Sequence, residues 1–229
     1  MKTLRTLAVA AAAVLLLTYP VLDAQQETDE ARRLRNASTI FGEIMSAEDA
    51  RIPESILGKA EGIAIFPDTV KAGFIIGGMR GRGVISARTP AGWSAPAFLT
   101  MTGGSIGLQI GGQAADIILV INNRRGLETM VSNQFKLGAD AAVAAGPVGR
   151  DAQAATDLQL RAQILSYSRA RGLFAGVTIN GSTIRQDRDA NARFYGRPLE
   201  MKDIVLAGAV AEPPAPVVPW LDTLKRFVP

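Results

Sequence analysis

The run Gly103-Gly104-Ser105-Ile106-Gly107 matches G-x-S-x-G, the strand-to-helix turn that presents a nucleophilic serine in α/β-hydrolases. Such a serine needs a histidine to take its proton, and none of the 229 residues is histidine. The residues that follow, Gly107-Leu108-Gln109-Ile110-Gly111-Gly112, are poor helix formers as a group, and the S-x-x-K spacing of serine–lysine enzymes is absent at Ser105. The spacing therefore predicts a glycine-rich strand whose glycines admit bulges or close backbone approach, not a hydrolase elbow. Missing histidine also removes an imidazole base and histidine metal ligands, and missing cysteine removes thiol nucleophiles, thiolate zinc sites and disulfides. The carboxylates Asp116, Asp140, Asp151 and Asp157 have no short repeated spacing, and no calcium loop of the D-x-[DN]-x-[DN]-G type occurs. No catalytic residue, metal site or cofactor is predicted, and these aspartates are read as caps, turn residues and ion-pair partners.

A second stretch, Gly77-Gly78-Met79-Arg80-Gly81-Arg82-Gly83, resembles a phosphate loop in its glycine content. It lacks the G-x-x-x-x-G-K-[ST] order, and Val84-Ile85-Ser86 continues as a strand, so no helix N-terminus faces a phosphate. Two readings stand: a flexible hairpin tip offering two guanidiniums to lipid phosphates, or an ordinary solvated turn.

The elements that would position these residues follow from periodicity. Lys2 and Arg5 precede an apolar run from Leu7 to Leu17, and Ala24 is a small residue before the polar Gln25-Gln26. This layout predicts a signal peptide over residues 1–24 and an exported, periplasmic protein; the alternative is an uncleaved anchor, against which Tyr19, Pro20 and Asp23 interrupt the run. Without cysteine, no lipid-modified cysteine can start the mature chain. Removing residues 1–24 takes away Lys2, Arg5 and Asp23 and leaves 23 basic against 20 acidic residues. That mild excess fits an anionic membrane surface and is too dispersed for nucleic acid.

Residues 25–50 are read as an N-terminal segment carrying an amphipathic helix, Glu27 to Glu48, with Leu34, Ala37, Phe41, Ile44 and Met45 at helical spacing and Thr28 or Asp29 as its cap. Its stripe suits either the core or a membrane interface with Arg32, Arg33 and Arg35 near headgroups. Short apolar runs then predict strands at Ile63–Phe66, Gly73–Ile76, Gly83–Ala87, Ala97–Met101, Ser105–Ile110 and Asp116–Ile121, and a further one at Ala139–Ala145. A short helix is placed at Arg124–Ser132, a hairpin at Ile164–Ser168 and Leu173–Ile179, and a positive-φ turn at Asn180-Gly181. Helices return at Arg188–Tyr195 and Leu199–Leu206, and residues 209–229, containing AEPPAPVVPW, are read as an extended proline-rich tail. The fold class is α+β: a glycine-rich, mainly antiparallel β-sheet or barrel with flanking N- and C-terminal helices.

IPESILGKAEGIAIFP (Ile52–Pro67), GFIIGGMRGRGVISAR (Gly73–Arg88), GWSAPAFLTMTGGSIGLQIGGQAADIILVI (Gly92–Ile121), FKLGADAAVAAGPVGR (Phe135–Arg150), ILSYSRARGLFAGVTINGSTI (Ile164–Ile184) and the N-x-x-x-YG of Asn191–Gly196 together resemble the SYLF domain. The corresponding domain is 51–208. The resemblance implies a non-enzymatic binder of membrane phospholipid, with phosphoinositides the ligand in eukaryotic members, an amphipathic helix before the domain assisting, and actin bound by some. No SH3 or FYVE module is read in this chain, and export would keep it from actin and inositol lipids. The resulting expectation is a phospholipid-binding protein of the bacterial envelope that contacts anionic headgroups through Arg32, Arg33, Arg35, Lys71, Arg80 and Arg82, with Lys59 and Arg125 as weaker candidates. The alternative is an envelope structural or assembly factor with a protein partner, read through the proline-rich tail and Trp220.

Overall fold

Two long strands, β1 (Gly62–Gly73) and β2 (Ile76–Thr89), pair antiparallel at the centre of a curled sheet. The computed structural model describes residues 27–47, 51–73, 76–106, 113–149, 161–170 and 172–228. Residues 1–24, where a signal peptide is expected, and Gly107, Gly111, Asp151 and Asp157 lie outside the described residues. The other described strands are β3 (Gly92–Trp93), β4 (Ala97–Ile106), β5 (Gln113–Ile121), β6 (Gln134–Lys136), β7 (Val143–Ala145), β8 (Ile164–Ala170), β9 (Leu173–Gly176) and β10 (Thr183–Gln186). Their order is β6-β10-β4-β2-β1-β5-β8-β7, with β3 on β2 and β9 on β8, and only β7 with β8 runs parallel. The described helices are α1 (Asp29–Ser46), α2 (Glu54–Leu57), α3 (Arg124–Met130), α4 (Arg188–Tyr195), α5 (Met201–Val205) and α6 (Val218–Phe227). The expected α+β class with a mainly antiparallel sheet and helices at both ends is what forms.

Strand alternation divides the core in two. Ile63 and Ile65 of β1, Val84 of β2, Phe98 of β4, and Ile118 and Val120 of β5 face a layer made by α1 and α6. Their neighbours Ala64, Phe66, Ile85, Leu99, Ile117 and Leu119 face the opposite side, where α3 and α5 contribute Leu127, Met130, Met201 and Ile204. A sheet covered on both faces explains why these runs read as continuously apolar in sequence.

Several expectations need correction. Gly73–Ile76, read as a strand, spans the junction where β1 ends and β2 begins. Gly77–Gly83 is no hairpin tip: it lies inside β2, with Arg80 opposite Val70 of β1 and Thr102 of β4. Glycine is required there by crowding, since a Cβ on Gly83 would sit 2.5 Å from the Ile65 carbonyl oxygen and 2.6 Å from the Phe66 ring. Pro67 ends no strand either. β1 bulges between Phe66 and Thr69, where Asp68 adopts φ 48° and gives its N–H to Asp116 Oδ1 at 3.0 Å. The Ala139–Ala145 strand contracts to β7, the Leu199–Leu206 helix to α5, and the Asn180-Gly181 turn takes positive φ at Gly181 alone.

The largest correction concerns residues 209–229. Instead of an extended tail, Ala215–Val217 forms a 3₁₀ turn that leads into α6, with Pro219 in its first turn, where no intrahelical N–H is needed. Trp220 is fully buried and donates its indole N–H to Ser86 Oγ at 2.8 Å. Phe227 meets Phe41 of α1 edge-on at 6.4 Å between centroids.

Thr28 caps α1, its hydroxyl accepting from the Ala31 N–H at 3.1 Å. The apolar stripe Leu34, Ala37, Ile40, Phe41, Ile44 and Met45 is buried, so the helix is docked on the core. α1 lies across the strands: Arg33 near its start stands over the Phe98 ring of β4, while Glu43 near its end pairs with Arg169 of β8. Everything in the sheet beyond that crossing extends past the helical layer.

Candidate functional site

Where the sheet passes beyond α1, helix and strands form an open corner groove of about 770 Å³. Asp29, Arg32 and Asn36, spaced one turn apart, make the helical wall, and Val70, Arg80 and Arg82 stand on the strand floor. Arg80 and Arg82 alternate with the inward Met79 and Gly81, so both project from the α1 side, roughly 7 Å apart. Between them and the sheet end the floor is nearly bare. Gly78 and Gly104 are cross-strand partners, and a Cβ on either would meet nothing within 4 Å.

The charges in this corner differ in what they are committed to. Arg33 donates to Asp187 Oδ2 at 3.1 Å with its side chain 6% exposed, and Asp187 also caps α4 through the Ala190 N–H. Burial pulls the Arg33 pKa down from its ordinary value, and the positive charge of Arg82 pushes the same way, against the hydrogen bond to Asp187. Beside this pair, the buried Glu30 accepts two hydrogen bonds from Arg193, at 2.7 and 3.0 Å. These links fasten the start of α1 to α4. Arg32 pairs with Asp29 at 3.1 Å in an exposed i,i+3 contact that leaves it free to exchange partners. The side chains of Arg80 and Arg82 are exposed and have no hydrogen-bond or ion-pair partner among the described residues. Two guanidiniums carried at fixed positions of one strand suit a phosphate chemically, because no bond between described residues has to be broken for it to be bound.

The structure thus brings Arg32, Arg80 and Arg82 together and gives Arg33 a different task, holding the helix. Arg35 pairs with Glu27 outside the groove. Lys71 sits opposite Met79, on the other face of the sheet from Arg80. Lys59 precedes the start of β1 and Arg125 follows the end of β5, so both belong to the opposite end of the sheet. Val70, Asp68 and Thr102 were not found in the sequence; alternation from Arg80 across the β1–β2–β4 register would have found Val70 and Thr102 once the bulge was known. Ser105 lies in β4 opposite Gly77, in a strand and not at a strand-to-helix turn. No described helix is long and apolar enough to cross a membrane.

The profile of the Ysc84 family, described as Las17-binding protein actin regulator, matches residues 102–227 and therefore runs through α6. LAS seventeen-binding protein 3 of Saccharomyces cerevisiae is 35% identical over 195 residues, 83% of this chain and 42% of its own length. SH3 domain-containing YSC84-like protein 1 is 34% identical over 188 residues in Rattus norvegicus (80% of this chain, 55% of that protein) and 34% over 180 in Homo sapiens (77% and 52%). The chain spans about half the length of these relatives. With more than half of its residues under the family profile, the chain belongs to the Ysc84 family, that of the SYLF domain.

Proposed function

We propose that the protein is a non-enzymatic, exported binder of anionic phospholipid that acts at the membrane face of the bacterial envelope. The observation that carries this reading is the pair Arg80 and Arg82, unpartnered and side by side on the floor of an open groove. Phosphate oxygens match the guanidinium fork, and each such contact near an anionic surface contributes about 1 kcal/mol. Arg32 adds a third contact by exchanging Asp29 for a headgroup. Asp29 and Asp68 on the same rim keep the net charge of the site modest, which favours discrete contacts over a broad electrostatic film.

Flotation with liposomes of neutral and anionic composition, at low and high salt, is the test. The expected outcome is flotation with anionic vesicles that weakens with salt, and an affinity roughly thirtyfold lower for the Arg80→Ala, Arg82→Ala double variant. A protein that floats with no composition would sink the proposal. A protein partner is the second reading, favoured by relatives named for binding Las17 or for their SH3 domains. A pull-down from envelope extract in the absence of lipid addresses it; Trp220, being buried, is not presented to such a partner.

A further inference from the structure

Among the described residues three large apolar side chains are exposed: Val70 at 51%, Leu173 at 77% and Val218 at 50%. Strand register puts two of them at one end of the sheet. Val70 is opposite Ala114 of β5 and Arg80 of β2. On β8, Arg169 is opposite Asp116 and Ala170 is opposite Leu173 of β9, so the β8–β9 hairpin, turning through Gly172 at φ 79°, reaches the same level of the sheet. That level is the one beyond α1, and it carries the unpartnered Arg80 with Arg82 one step inward. Val218 belongs to α6, which reaches β3 and Ser86 at the other end.

Resting on the phospholipid reading above, we infer that the protein docks end-on: the sheet meets the membrane by the end beyond α1, with Leu173 and Val70 entering the acyl interface and Arg80 and Arg82 at the phosphate level. The partner is a bilayer because both chemistries it requires are present at that end and at that spacing. Val70 stands beside Arg80, whose long stem lets its charge remain at the headgroups, and Leu173 lies at the same level on β9, on the opposite face of the sheet. Docking in this pose leaves α1 in place. Its apolar stripe is already occupied by the core, so binding needs no helix to be pulled off the protein.

Both native tryptophans report the pose by where they are not. Trp220 is buried against Ser86, and Trp93 of β3 lies under Arg88, with the guanidinium carbon 5.2 Å from its ring centroid, so both sit at the far end. Vesicles of phosphatidylglycerol with brominated acyl chains are the probe. The wild-type protein is expected to float with little quenching of its fluorescence. Leu173→Trp is expected to float and to be strongly quenched, Val218→Trp to float without added quenching, and Leu173→Glu to bind about tenfold more weakly with an unchanged melting temperature. Wild-type flotation with an unquenched Leu173→Trp, a quenched Val218→Trp, or undiminished binding by Leu173→Glu overturns the end-on pose and leaves the phospholipid reading intact. Absence of wild-type flotation overturns both.

Discussion

Arg33 and Arg82 face one another across the groove and do opposite things with the same functional group. Arg33 is enclosed by Asp187 and the Phe98 ring, and removing it leaves a carboxylate without its partner. Arg33→Ala is expected to cost about 3 kcal/mol in denaturant unfolding, whereas Arg35→Ala should stay within about 0.5 kcal/mol because its pair with Glu27 is exposed. Asp68 works against the proposed ligand: its carboxylate is exposed at the docking end while its backbone N–H is tied to Asp116. Asn keeps the left-handed backbone at that position, so Asp68→Asn should leave the melting temperature unchanged and raise affinity for anionic vesicles severalfold. Two glycines of β2 give a paired check on the fold. Gly83→Ala drives a methyl into Ile65 and Phe66 and should destabilise by about 1–3 kcal/mol, while Gly78→Ala enters open space and should shift stability by less than about 0.5 kcal/mol.

Those glycines also explain why β2 was hard to read from sequence. A segment with four glycines in seven looks like a turn, and the reason for two of them is the bulge of a neighbouring strand: Gly81 lies against Thr69, and Gly83 against Phe66. No local pattern carries that information. Where burial is one-sided, the pattern sufficed. The stripe Leu34–Met45 marked α1, and the expected span of α4, Arg188–Tyr195, is the observed one. In α6 the opposite error arose. Pro213, Pro214, Pro216 and Pro219 suppress any helical expectation, yet all four fall at or before the first turn, where proline costs nothing. Trp220→Ala is expected to cost about 3–5 kcal/mol, a loss larger than any surface change and readable as a lower denaturation midpoint. Of the candidate site, the cations were legible as residue types. Which of them were free was not, because freedom depends on partners such as Asp187, 154 residues distant from Arg33.

Across the whole molecule, the proposed binding surface and the packed core fall at opposite ends of one sheet. α1, α6, α3 and α5 cover one portion on both faces, and the remainder of β1, β2, β4 and β5 extends free on the α1 side. The division should make the proposed binding end tolerant of substitution at Arg80, Arg82, Val70 and Leu173, all of them exposed. It also sets the salt response. At about 0.1 M the screening length is roughly 10 Å, so Lys59 and Arg125 at the far end should contribute nothing measurable to vesicle affinity, and the double variant Lys59→Ala, Arg125→Ala should float as the wild type does.

The packing of α6 against α1 and β2 joins the first described helix to the last. While the chain is being synthesised, Phe41 lacks the cover of Phe227 until α6 has emerged. The α1 side of the core is therefore expected to close only once residues 218–227 are available to pack on α1 and β2. A protein halted at residue 210 should accordingly be degraded by protease at concentrations that leave the complete chain intact.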